Sequence, residues 1–77
     1  MTETSGLVLA LTTEANAALA QNLARALLER RLVACVSMHP VQSHYRWDGA
    51  LQCSDEVQLL IKTSAQHLDA LRLAVSE

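Results

Sequence analysis

The chain has 77 residues, of which 51% are apolar, and a formal net charge of −2. That length holds one domain, and a domain this small buries only about 60% of its unfolded surface, so a lone core is marginal. The mild acidity argues against a nucleic-acid surface, which needs a basic stripe. The Arg25, Arg30 and Arg31 cluster is read as helix-end charge.

No basic n-region or signal-type apolar stretch opens the chain, and nothing approaches the ~20 apolar residues of a membrane span. The expectation is a cytoplasmic protein with reduced thiols, without nucleic-acid or membrane partners.

Gly6 to Leu11 is apolar throughout, the pattern of a strand covered on both faces. Thr12 and Thr13 offer N-caps to a helix over Ala15–Arg31, with Ala15, Leu19, Leu23 and Leu27 as its inner stripe. Gln21, Arg25 and Glu29 line the outer side. From Val33 the period becomes two, and Ala34, Val36 and Met38 share a face. Pro40 predicts a bulge or an edge position. Alternation resumes through Val41, Ser43, Tyr45 and Trp47. The chain's only Tyr and Trp thus sit beside Asp48-Gly49, a strong signal for a two-residue type I′ turn. Leu51–Thr63 is the return strand, with Val57, Leu59 and Ile61 on one face and Leu60 on the other. Thr63-Ser-Ala-Gln66 has capping-box spacing before a second helix carrying Ala65, Leu68, Leu71 and Val75.

The order β-α-β-β-α matches an α+β, ferredoxin-like split β-α-β unit, short of its last strand. Its antiparallel sheet has strand three between strands one and two, and both helices on one face. Residues 1–77 are expected to be a single, C-terminally incomplete domain. Strand one is then an apolar edge, in a fragment of a longer chain or in a chain whose partner covers it. The helix-free face is also partly apolar and needs a cover, for which a second copy of the chain is the simplest candidate.

A two-residue turn fixes the hairpin register and sets His44 opposite Cys53. Thiol and imidazole suit copper or zinc, whereas a structural zinc site normally has four ligands. A chance cross-strand pair is the other reading. Cys35 reads either as a small buried hydrophobe or as a soft metal ligand. In this register it lies too far from Cys53 for a disulfide. His39 and His67 lack catalytic partners, Asp55-Glu56 reads as a solvated strand end, and Lys62 as a surface charge. No Ser-His-Asp, Cys-His or HExxH arrangement and no glycine-rich phosphate loop is present, so no enzyme is expected.

The assembled residues resemble one family. "RLVACVSMHPVQSHYRWDGALQCSDEVQLLIKT", Arg31 to Thr63, is similar to the signature half of the CutA divalent-cation-tolerance family. Leu32, Ala34 and Cys35 match one motif; Tyr45, Trp47 and Gly49 a second; Glu56, Leu59, Ile61, Lys62 and Thr63 a third. The resemblance covers Gly6 to Val75. Ser37 stands where the family commonly has Asn, and Thr12 where some members carry a cysteine implicated in copper binding. The family's His-Pro-Tyr segment follows helix two, beyond Glu77.

The resemblance implies a ferredoxin-like subunit of a tight homotrimer, similar in architecture to the PII signalling proteins. It implies a role in tolerance of copper or another divalent metal, with no assigned reaction. Cys35 is the position matching the family's cysteine, and Tyr45 and Trp47 become interface anchors on a hairpin that reaches a neighbour. A PII-like module binding a small anion or metabolite between subunits is the alternative function. An acylphosphatase-like enzyme is a third, disfavoured because "LTTEANAA" lacks a glycine-rich anion cradle.

Overall fold

The computed structural model describes residues 6–76. Three strands form one antiparallel sheet in the order β1-β3-β2, where β1 is Leu7–Glu14, β2 is Cys35–Trp47 and β3 is Ala50–Ser64. Helix α1 (Ala17–Glu29) joins β1 to β2, and a 3-10 turn (Ala65–His67) leads from β3 into α2 (Leu68–Ser76). This is the expected β-α-β-β-α order with strand three in the centre.

Both helices pack on one face of the sheet. Ala20 and Leu27 of α1, Leu59 and Ile61 of β3, and Leu71 and Ala74 of α2 form the buried core. Val36, Met38, Ala10 and Val57 close around it. Strand periodicity explains the selection, because Val57, Leu59 and Ile61 lie two residues apart in the central strand. The inner stripe of α1 is Ala20, Leu23, Ala24 and Leu27, whereas Leu19 is 46% exposed. A strict i+4 series drifts about 40° around the helix at each step, so the face that holds Leu23 and Leu27 takes Ala20 and Ala24 and leaves Leu19 outside, and Ala15 precedes the helix, which begins later than the threonines suggest. β1 continues to Glu14, held by pairing with Val57, and Thr12 and Thr13 are strand residues. Asn16 is the actual N-cap, its Oδ1 accepting the Leu19 N–H at 2.9 Å.

α1 ends in a Schellman motif. The Arg31 N–H bonds the Leu28 carbonyl and the Leu32 N–H bonds the Leu27 carbonyl. Arg31 takes the left-handed conformation this requires, at φ 59°. Leu32 then joins the core edge and the chain enters β2 at Cys35, two residues later than the alternation suggests.

The β2–β3 ladder is continuous from Cys35↔Lys62 to Trp47↔Ala50. Pro40 pairs in step with Val57, so the expected bulge is absent and only the edge-strand alternative holds. The turn is tight, with Asp48 at φ 53° and Gly49 at φ 78°, the positive φ pair of a type I′ turn.

The capping box does not form. Thr63 is buried in β3 and donates its hydroxyl to the Leu32 carbonyl at 2.6 Å. Ser64 precedes the 3-10 turn and its hydroxyl bonds His67 Nδ1 at 2.8 Å. Tertiary and local partners thus take both hydroxyls from the helix N-terminus. Among the described residues no helix is long and apolar enough to cross a membrane.

Candidate functional site

Strand register divides the side chains between two faces. Val8, Ala10 and Thr12, with Val57, Leu59, Ile61, Val36 and Met38, point toward the helices. Leu7, Leu9 and Leu11 point the other way, 58%, 60% and 64% exposed. Leu11 lies directly opposite Leu60 on that face. The run expected to be covered on both faces is therefore covered on one, and the sheet offers a contiguous leucine patch on its helix-free side.

Among the described residues β1 pairs only with Val57–Ser64 of β3. Beyond Val57 the hairpin continues as a two-stranded arm, Val41–Trp47 against Ala50–Glu56. The described residues extend 47 Å along their long axis and 23 Å across. Apolar parity changes at the root of the arm: Val36 and Met38 face the helices, whereas Val41, Tyr45 and Trp47 occupy the leucine face. With no bulge at Pro40, the switch is written in the sequence itself. Trp47 is 70% and Tyr45 45% exposed. The Tyr45 hydroxyl bonds Ser54 Oγ at 2.9 Å across the strands, which fixes the ring.

Polar pairs line the same face below the aromatics. Ser43 donates to the carboxylate of half-buried Glu56, and His39 Nε2 bonds Gln58 Oε1 at 2.9 Å. Asp55 and Glu56 are therefore not a solvated strand end. They lie within the ladder on opposite faces, and Asp55 accepts from Gln42 Nε2 at 3.4 Å. Sequence reasoning missed these rungs, although the pairing rule that joined His44 to Cys53 also sets Gln42 opposite Asp55 and Ser43 beside Glu56.

On the opposite face of the arm His44 and Cys53 are opposed as the turn dictates, with Cys53 Sγ 3.9 Å from His44 Nε2. Gln42 Oε1 lies 3.3 Å from the same ring nitrogen. Cys35 is exposed at the start of β2, opposite Lys62 on the helix-free face. Its rung and that of His44↔Cys53 stand nine apart, about 30 Å at ~3.4 Å per residue. The two thiols are thus free, distant and on different faces. Among the described residues no three His, Cys, Asp or Glu side chains gather as a ready metal site.

Along the free edge of β1 an open groove of about 550 Å³ runs under α2, floored by Val8, Ala10 and Ile61 and walled by Leu71 and Val75. It lies where a split β-α-β unit places its fourth strand.

Residues 8–77 match the family model described as CutA1 divalent ion tolerance protein. A divalent-cation tolerance protein CutA of Pectobacterium atrosepticum is 48% identical over 65 residues, 83% of this chain and 59% of that protein. The chain thus spans about three fifths of that relative's length. Among solved structures, CutA from Synechococcus elongatus PCC7942 superposes with a TM-score of 0.90 at 47% identity, over 94% of this chain and 64% of that one. CutA1 from Oryza sativa gives 0.89 at 33% identity, over 92% and 66%. These likenesses run through both helices and the arm alike, and on them the chain belongs to the CutA1 divalent ion tolerance family.

Proposed function

We propose that the protein is a homotrimeric divalent-cation tolerance protein whose subunits join through the helix-free sheet face and the hairpin arm, with copper as its cation. The observation that carries the assembly is the exposure of Leu7, Leu9 and Leu11 in one row. A contiguous apolar patch of this kind marks a partner surface, and a small domain gains the stability it lacks by burying it. Tyr45 and Trp47 extend the same face along the arm. A two-stranded ribbon is barely stable alone in water, so an arm of this length calls for support from a neighbour. A closed ring of identical subunits gives each arm a neighbour and leaves no open end.

Family membership supports divalent-cation tolerance as the role. The exposed Cys35 thiol supports copper as the cation, since soft thiolate donors favour copper and zinc over hard cations. It sits on the face that assembly brings toward other subunits, where donors of neighbouring chains complete its coordination. The test is Cu(I) titration of the protein under reducing conditions beside its Cys35→Ser variant. Loss of copper binding in the variant is the expected result; equal affinity removes Cys35 from the metal role.

A further inference from the structure

We infer that the hairpin arm carries a second, separate cation site, an exchangeable one for a thiophilic divalent ion of the zinc class, held by Cys53 and His44 with Gln42 as third donor. Its position comes from the ladder. His44 and Cys53 form one rung, Gln42 and Asp55 the next rung on the same face, and all four side chains are exposed. The distances suit one metal ion. With Zn–S of ~2.3 Å and Zn–N of ~2.05 Å, the 3.9 Å between Cys53 Sγ and His44 Nε2 corresponds to an S–Zn–N angle of about 130°. With Zn–O of ~2.1 Å, the 3.3 Å from His44 Nε2 to Gln42 Oε1 corresponds to an N–Zn–O angle of about 105°. Both lie near the tetrahedral value, so each pair of donors is spaced to share one ion. Water takes the fourth position.

Asp55 has a distinct part. It accepts from Gln42 Nε2, which turns the amide so that Oε1 faces the imidazole. An outer carboxylate that orients a ligand and adds negative charge is a usual support of metal sites. His44 binds through Nε2 as the neutral ring with its proton on Nδ1, and the Cys53 thiol releases its proton to solvent as the metal–sulfur bond forms. Affinity therefore rises with pH. One thiolate, one imidazole, one amide and water in full solvent make a weak, fast-exchanging site, suited to a cation being handled and unsuited to a structural centre. The site lies on the opposite face of the arm from Tyr45 and Trp47, so it stays open when the leucine face is covered.

The experiment is Co(II) titration under reducing conditions, read by the thiolate-to-metal charge-transfer absorption, with Zn(II) affinity measured by displacement. The wild type is expected to show the band and to lose it to Zn(II). Cys53→Ser abolishes the band, His44→Ala weakens Zn(II) binding at least about tenfold, and Asp55→Asn weakens it by about tenfold. Cys35→Ser retains the band. All four positions are exposed, and circular dichroism confirms that the variants fold. A wild type without the band overturns the inference, as does a band that survives Cys53→Ser. The titration is repeated on an assembly-deficient Leu9→Ser variant. Binding retained there upholds the arm site whatever the oligomeric state, and binding lost there shows that subunit contacts build it and overturns the inference.

Discussion

Leu9→Ser is the substitution that tests the proposed assembly separately from folding. Leu9 is 60% exposed in the subunit and stands outside the buried core, so its loss leaves the subunit's packing in place. Full burial of a leucine side chain is worth roughly 1.5–3 kcal/mol, and covering the exposed part of Leu9 therefore contributes about 1–2 kcal/mol per subunit. In the proposed ring of three copies this comes to about 3–6 kcal/mol, or two to four decades in the association constant at ~1.4 kcal/mol per decade. Serine also adds a hydroxyl that needs a partner in the interface. Sedimentation velocity across a micromolar dilution series measures the shift directly. The variant is expected to dissociate where the wild type remains trimeric, while far-ultraviolet circular dichroism of the two stays alike. A Leu9→Ser protein that remains trimeric throughout the series would refute the argument that this face is the contact.

Three further outcomes follow from particular residues. Trp47→Ala should weaken assembly by about 2 kcal/mol or more if the indole is an interface anchor; an unchanged trimer and melting temperature would make it a solvent-exposed end of the hairpin. Arg31→Gly should stabilise the protein by up to about 1 kcal/mol in urea unfolding, because φ 59° strains any residue with a Cβ at the end of α1. Leu59→Ala should cost about 2–5 kcal/mol and lower the urea midpoint sharply, since Leu59 is fully buried between the central strand and the helices.

The fold was legible because its signals are periodic and local. Val57, Leu59 and Ile61 repeat every second residue, and Asp48-Gly49 can make one turn only, so the hairpin register followed from the turn alone. That register delivered the His44–Cys53 contact from sequence. Competing partners decided what was misread. Thr12 and Thr13 carry good capping chemistry, yet sheet pairing as far as Glu14 keeps them in β1, and Asn16 takes the cap. Thr63 has capping-box spacing, but a carbonyl from Leu32, distant in sequence, claims its hydroxyl. Pro40 signalled a bulge; on an edge strand the ladder runs past it undisturbed. Asp55 and Glu56 looked like a charged strand end because adjacent carboxylates suggest solvent, whereas alternation sends them to opposite faces, each with its own donor. The leucine run suggested cover on both faces because it is apolar on both, whereas within the described residues only its helix side is covered and Leu7, Leu9 and Leu11 stay exposed.

Subunits joined through the leucine face and the arm should hold together on dilution. Sedimentation equilibrium of the wild-type protein at low micromolar concentration is expected to show a single species of three times the chain mass. A stable monomer at that concentration would contradict it and leave Leu7, Leu9 and Leu11 exposed to water without a reason.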